Sequence, residues 1–316
     1  MRKLGLLLFV SLLAFPTLAR PARRAAQARV VTMTAVRLAD GAAARTALAA
    51  HLRAMGTGRV GAKAIVDNSS MRTIAIPAAG SVRGANGTFF RSDVTFVNYN
   101  FTQQKVIVYW LPNGGGAAQF LINVNGEIVA ATVEDFVGTT LRVSGLGSLL
   151  FVPVRDDGIT VDDDAAIDIF SRIWTPQPNA VGTVSQPFPG VSPGLMFGRY
   201  EGVLLGVRQD AGYRTNVGIV NYGPVDVDFD VTVAGSGPGG VETFTMRVSA
   251  FSFLQQPLPA GDFGSAIIII DVDPQVDAED TFWLAYASST DNISGDGWVT
   301  LVSRPLDDDD LDSEGR

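Results

Sequence analysis

Two ten-residue stretches of the chain nearly repeat each other, RSDVTFVNYN from Arg91 to Asn100 and RTNVGIVNYG from Arg214 to Gly223. Arg91 matches Arg214, Val94 matches Val217, Val97 matches Val220, Asn98 matches Asn221 and Tyr99 matches Tyr222, all at one offset of 123 residues. A chain that repeats itself at this distance is expected to fold as two copies of one unit of about 115 to 120 residues, an ordinary domain size. The same offset carries the loop Asn113-Gly114-Gly115-Gly116 onto Ser236-Gly237-Pro238-Gly239. Further on, Gly147-Ser148 and Ser171 fall opposite Gly264-Ser265 and Ser288 at an offset of 117, which makes the second copy six residues shorter in between.

From Thr73 onward the pattern is one of strands and turns. Val225, Val227, Phe229, Val231 and Val233 alternate with Asp226, Asp228, Asp230 and Thr232, which puts five apolar side chains on one face and the polar ones on the other. That is a half-buried antiparallel strand. Its counterpart, Lys105 to Leu111, is apolar on both faces, so it is expected to be more central or to face the other copy. Further strands are read at Gln119 to Val124, Val129 to Phe136, Ser148 to Val154 and Ala166 to Trp174. The second copy gives Val241 to Val248, Phe251 to Leu258, Ser265 to Val272, Phe282 to Ser288 and Trp298 to Val302. Asn86-Gly87, Asn125-Gly126, Asp157-Gly158 and Asp296-Gly297 supply turns between them.

Many short strands without intervening helical patterns predict an all-β chain of two tandem antiparallel β-sandwich domains, Greek-key and immunoglobulin-like or jelly-roll in topology. The expected division is a signal peptide over 1–28, an N-terminal segment with a short helix over 29–70, sandwich domains over 71–180 and 181–304, and a disordered acidic tail over 305–316. Pro176 to Pro193, rich in proline, reads as the link, and Leu195 to Gln209 as the opening strand or hairpin of the second copy.

Arg2 and Lys3 followed by an apolar run from Leu4 to Phe15 predict a secretory signal, cleaved after Ala28 or Ala19. The run is too short to span a bilayer. The net charge of the whole chain is -8, and the first 28 residues hold five basic and no acidic side chains, so the mature product sits near -13. Such a chain supplies no basic patch for phosphate, which argues against nucleic acid as a partner. With no cysteine, thiol catalysis, thiolate metal sites and disulfide stabilisation are all excluded. The expected product is secreted or periplasmic, with no integral membrane segment once the signal is removed.

Asp40 to Met55 reads as a helix, with Asp40 as cap, Leu48, Leu52 and Met55 on one face and Gly56 at its end. His51, the only histidine, lies on it and lacks a His or Cys partner for metal or catalysis, so a packing role is expected. In the repeated motif, the Asn side chains are expected to bond backbone groups in the turn, and the Arg side chains to pair with a carboxylate or with carbonyls at the sandwich edge. The rival reading is an Arg, Asn and Tyr recognition patch for a glycan or peptide.

Asp156, Asp157, Asp162, Asp163 and Asp164 form one acidic loop, and Asp273, Glu279 and Asp280 stand opposite Asp156, Asp162 and Asp163 in the second copy. Such loops, and Asp291 to Gly297, can hold calcium, although their spacing is not that of an EF-hand and charged turns are ordinarily just solvated. Trp110, Trp174, Trp283 and Trp298 are expected in the core more than on a sugar-stacking platform. No catalytic, cofactor-binding or metal residue is assigned.

The stretches GANGTFFRSDVTFVNYN, SRIWTP, GYRTNVGIVNYG and AYASSTDNISGDGWV are similar to those of uncharacterised exported bacterial proteins with tandem β-sandwich (immunoglobulin-like) repeats, over roughly Ile74 to Ser303. The resemblance implies fold and export and carries no catalytic assignment. The expectation for function is a non-enzymatic structural or protein-binding module of the cell surface, matrix or periplasm. Its partner would be a protein or glycan of the cell envelope, with self-association as a further route. The alternatives are a carbohydrate-binding module and, behind it, a carboxylate-dependent glycosidase.

Overall fold

The structure, a computed structural model, describes residues 28–54, 73–84, 87–126, 130–177, 181–191, 201–277 and 280–303. The expected signal run, Met55, Glu279 and the acidic tail lie outside them. The chain is mostly β, and its sheets are built almost wholly from antiparallel pairs. No helix among the described residues is long and apolar enough to cross a membrane.

After two short N-terminal strands, β1 (Arg29–Val30) and β2 (Val36–Asp40), comes the helix α1 (Gly41–Ala54). Asp40, read as the helix cap, ends β2 and accepts from the Arg37 guanidinium at 2.7 Å. Ala44, Leu48 and Leu52, spaced by four, are the residues α1 buries. A helix of this length is marginal alone and is held by that apolar stripe.

Eight strands follow in the first half: β3 (Ile74–Arg83), β4 (Phe89–Asn98), β5 (Gln104–Pro112), β6 (Ala118–Val124), β7 (Ala130–Val133), β8 (Gly145–Val154), β9 (Ile167–Pro176) and β10 (Thr183–Pro189). Eight more form the second: β11 (Gly202–Gln209), β12 (Tyr213–Asn221), β13 (Val227–Gly235), β14 (Val241–Val248), β15 (Ser252–Pro257), β16 (Gly264–Val272), β17 (Trp283–Asp291) and β18 (Gly297–Leu301). Their pairings recur. β3 pairs β8, β8 pairs β5 and β5 pairs β6, as β11 pairs β16, β16 pairs β13 and β13 pairs β14. Likewise β4 lies between β7 and β9, with β10 beyond, as β12 lies between β15 and β17, with β18 beyond. In the first half, three further pairs between β3 and β4 join everything into one ten-stranded sheet. The second half keeps two separate four-stranded sheets.

Alternation puts one face of each sheet inward. Val94, Phe96 and Phe151 meet Phe136 in the first half, with the three phenylalanine rings 5.6 to 6.0 Å apart. In the second half Val217, Ile219, Phe229, Val231, Ile268, Ile270 and Trp283 form the core between its two sheets. Three expectations are corrected here. Residues 183–189, read as part of a link, are β10. Their prolines are tolerated because β10 pairs only β9 and is an edge. The strand read to Phe136 stops at Val133 and gives way to a π-helical turn over Phe136–Thr140. The late offset of 117 is also not the one the ladders keep. Phe151 pairs Val108 and Ile270 pairs Val231, which puts those partners 119 apart, while Ser171 and Ala287 face Val94 and Val217 and are 116 apart. A ladder fixes register: the slip from 117 to 119 is even and leaves the inward set inward, whereas the slip from 117 to 116 is odd, so Ser288, matched by sequence to the inward Ser171, faces outward to Gln186. The bulge between Ile76 and Ala79 recurs between Leu204 and Val207 and agrees with the ladder alignment.

Candidate functional site

The repeated motif forms a corner. Asn98, fully buried at the end of β4, donates from Nδ2 to the carbonyls of Thr102 (2.9 Å) and Val124 (3.3 Å), while its Oδ1 accepts the Asn100 N–H at 2.9 Å. Asn221 does the same for the carbonyls of Val225 (2.7 Å), Val248 (3.2 Å) and Ser249 (3.3 Å), and accepts the Gly223 N–H at 2.8 Å. One amide thus ties the turn leaving its strand to the end of another strand, β6 in the first half and β14 in the second, as the structural reading of the asparagines expects.

The arginines do not follow that reading. The Arg91 guanidinium lies over the rings of Phe89 and Trp174, 5.2 and 5.4 Å from their centroids, and Arg214 donates to Asn292 Oδ1 at 2.7 Å. Strand-end aromatics and an amide take the place of the expected carboxylate because cation–π stacking satisfies a half-exposed guanidinium without desolvating an acid. The tyrosines part as well. Tyr99 is 51% exposed and Tyr222 is fully buried. The Tyr222 hydroxyl reaches Ser148 Oγ in the first half at 2.9 Å, and since Ser148 spends its own proton on the Ile76 carbonyl, the tyrosine donates.

That contact belongs to the seam between the halves. The outer face of the sheet β15-β12-β17, carrying Val220, Phe253, Leu284 and Tyr286, joins the core of the first half. Phe188 of β10 meets the Tyr286 ring edge-on at 5.1 Å, and Asn113 bridges to Phe253. The apolar second face of Lys105 to Leu111 is explained by the same arrangement: Ile107 and Tyr109 are buried, beneath cover that includes α1.

Beside the seam opens a cleft of about 770 Å³. Its apolar lining includes Phe90, Leu146, Ile173 and Phe188 of the first half and Tyr286 and Ile293 of the second. Most of its polar lining is neutral. Ser288 Oγ donates to Gln186 Oε1 at 2.8 Å across the seam, and Gln255 accepts the Tyr286 hydroxyl. Asn216 also lines it, with Arg83 and Arg214 as the cationic groups. Asp291 is the one acid among the described lining residues. Its Oδ1 accepts the N–H groups of Ile293 (2.7 Å) and Ser294 (2.8 Å), which hold its pKa below the ordinary carboxylate value. A paired-carboxylate glycosidase needs two acids facing each other, and this cleft presents one, spent on its own loop.

Compared with known proteins, the chain matches no family model and no curated protein. The cleft therefore has to be read from its own chemistry.

The other candidates fall elsewhere. The first acidic loop borders a second, polar hollow of about 790 Å³ with Asn100, Gln104 and Lys105. Within it Asp157 accepts from the Thr160 hydroxyl at 2.6 Å and from the N–H groups of Ile159 and Thr160, which brings its pKa down to about 2. Asp162 accepts the Asp164 N–H and Asp273 the Gln275 N–H. No group of three or more acidic or histidine side chains gathers for a metal among the described residues. The loop carboxylates described here chiefly serve their own turns.

His51 packs. Gln119 Nε2 donates to the Tyr109 hydroxyl at 3.2 Å, Tyr109 bonds His51 Nδ1, and His51 Nε2 faces the Ile159 carbonyl at 3.4 Å. This chain closes when the ring is neutral with its proton on Nε2, and burial accordingly lowers the His51 pKa. Trp110 and Trp283 are core, Trp174 sits under Arg91 and Arg172, and Trp298 is 38% exposed with its indole N–H on the Gly206 carbonyl. Of the cleft residues, the sequence singled out Arg214 and, as part of a loop able to hold calcium, Asp291 to Gly295; the others were read as strand, turn or link members only. The available signal was indirect: strand residues apolar on both faces demand a cover for the second face.

Proposed function

We propose that the chain is an exported, non-enzymatic protein of two tandem β-sandwich domains, immunoglobulin-like in pairing, that serves as a protein-binding module of the bacterial surface, matrix or periplasm. The observation that carries this is the cleft between the halves, with an apolar floor, neutral amides and hydroxyls around it, and two arginines. Side-chain amides each offer a donor and an acceptor, the complement of a peptide group, and an apolar floor accepts a side chain. An extended polypeptide segment fits that lining. Acid–base or nucleophilic chemistry asks for titratable groups held together and poised, and the cleft brings together none. Export rests on the signal-like N-terminal stretch.

A glycan-binding reading has one observation in its favour. Trp298 is exposed beside Tyr213, ring centroids 5.8 Å apart, with Arg208 stacked on Tyr213. The test is retention of envelope proteins and of a polysaccharide panel on the full chain, with and without calcium, beside the variants Asn216→Trp, which fills the cleft, and Trp298→Ala. An envelope protein retained by the wild type and by W298A but lost with N216W supports the proposal. Retention on a polysaccharide that W298A loses and N216W keeps replaces it with the glycan reading.

A further inference from the structure

The seam inside the chain joins two particular faces. One is the outer face of β3, β5 and β8 in the first half, which contributes the buried Pro77, Leu111, Ser148 and Leu150. The other is the outer face of β12, β15 and β17 in the second half, from which Tyr222 reaches Ser148 and Tyr286, in the same core, meets Phe188 of β10 beside it. Because the halves share their pairings, each has both faces, and the chain uses only one of each.

The unused receiving face is the outer face of β11, β13 and β16. By ladder register Ser148 corresponds to Ile267, Leu150 to Ile269 and Leu111 to Ala234, and within the shared bulge Pro77 corresponds to Leu205. There the stripe is uncovered, with Leu205 55% and Ile267 39% exposed. The unused knob face is that of β4 and β9. Tyr99 stands where Tyr222 stands, and Phe170, facing Thr95, stands where Tyr286 faces Gly218. Tyr222 and Tyr286 are buried in the seam, whereas Tyr99 is half exposed and Phe170 is 43% exposed.

We propose that the chain assembles head to tail with further copies of itself, Tyr99 and Phe170 of one copy seating on the Leu205 and Ile267 stripe of the next, as Tyr222 and Tyr286 seat on the first half within the chain. The occupant follows from continuity, since each copy's free face is the structural counterpart of the one already docked. Charge agrees in part. Asp228, Asp230 and Asp271 flank the stripe, offset by Arg247, and Arg91 and Arg172 flank the knobs, offset by Asp93. Asp168 occupies the place of Leu284, so the contact between copies is weaker than the internal one and reversible. A heterologous contact of this kind leaves a free face at each end and grows as an open series unless it closes into a ring. The cleft takes no part, so this inference and the binding reading stand or fall separately.

Sedimentation velocity of the full chain over a wide concentration range tests it, with two variants blocked on opposite faces, L205E/I267E and Y99E/F170E. All four positions are exposed, and an unchanged thermal midpoint certifies each variant as folded. The wild type should show species at whole multiples of the monomer mass that grow with concentration. Each variant alone should lose every species above monomer, and their equimolar mixture should recover a dimer and nothing larger, because one intact face remains on each partner. A wild type that stays monomeric throughout, a single variant that still dimerises, or a mixture that stays monomeric overturns the proposal.

Discussion

Replacing Asn221 with alanine removes the corner amide of the second half, and Asn98→Ala removes that of the first. Asn221 makes effectively three bonds: one Nδ2 hydrogen to Val225, the other shared by Val248 and Ser249, and one accepted from Gly223. Asn98 also makes three, to Thr102 and Val124 and from Asn100. Each net bond is worth about 1 kcal/mol, and alanine leaves buried backbone groups unpaired, which adds about 1 to 3 kcal/mol. Either variant should therefore lose about 4 to 6 kcal/mol, a large share of the roughly 5 to 15 kcal/mol that holds a typical domain folded. Urea unfolding followed by tryptophan fluorescence is the assay, read as a fall in midpoint at unchanged slope. A loss below about 1 kcal/mol in both variants would refute the structural role of the corner, since the bonds would then be no better than those to water.

Three further outcomes follow from single side chains. The depressed His51 pKa means that, as pH falls below the unfolded value of 6.5, the unfolded chain takes up a proton that the folded chain does not. Stability is therefore full above that pH and declines below it until the folded value is passed, and His51→Gln should flatten this part of a stability-versus-pH curve measured by urea titration. Ser171 Oγ is buried with no hydrogen-bond partner and stands where the second half has Ala287, so Ser171→Ala should raise the thermal midpoint, corresponding to about 1 kcal/mol. A Cβ on Gly218 would come within 2.2 Å of the ring of Tyr286, which meets Phe188 on one side and Phe253 on the other, so Gly218→Ala should lower the urea midpoint by an amount equivalent to about 1 to 3 kcal/mol.

Much of the strand plan was legible because alternation is a local signal. Val225 to Val233 announces its two faces, and Val241 to Val248 is bounded as the pattern places it. The asparagine corner was legible for a different reason: the turn it braces needs the same amide in both halves. Three things were hidden. β10 carries Pro187 and Pro189, which read as loop until a neighbour shows that β10 is an edge. Arg91 and Arg214 looked equivalent, yet each takes whatever its own surroundings offer, aromatic rings in one case and Asn292 in the other. The cleft was hidden most thoroughly. Its lining comes from strands and loops far apart in the chain, and neutral residues such as Gln186, Asn216 and Gln255 look, one at a time, like any polar surface residue.

The two halves diverged on their outer faces and stayed alike on their inner ones. Inward on β4 and β12, Val94 and Val217 are the same, Phe96 and Ile219 are both large and apolar, and Asn98 and Asn221 are the same, because both interiors pose the same packing problem. Outward, Thr95 is answered by Gly218, Asp168 by Leu284 and Phe170 by Tyr286, because within one chain only the second of these faces is covered, by the first half. Gly218 clears the space that lets Tyr286 lie flat, and Leu284 replaces a charge that could not be buried there. Burying Phe253, Leu284 and Tyr286 contributes about 1.5 to 3 kcal/mol each, far above thermal energy. That burial holds the halves against each other beside the cleft, so the polypeptide binding proposed above asks for little rearrangement of the two faces that line it.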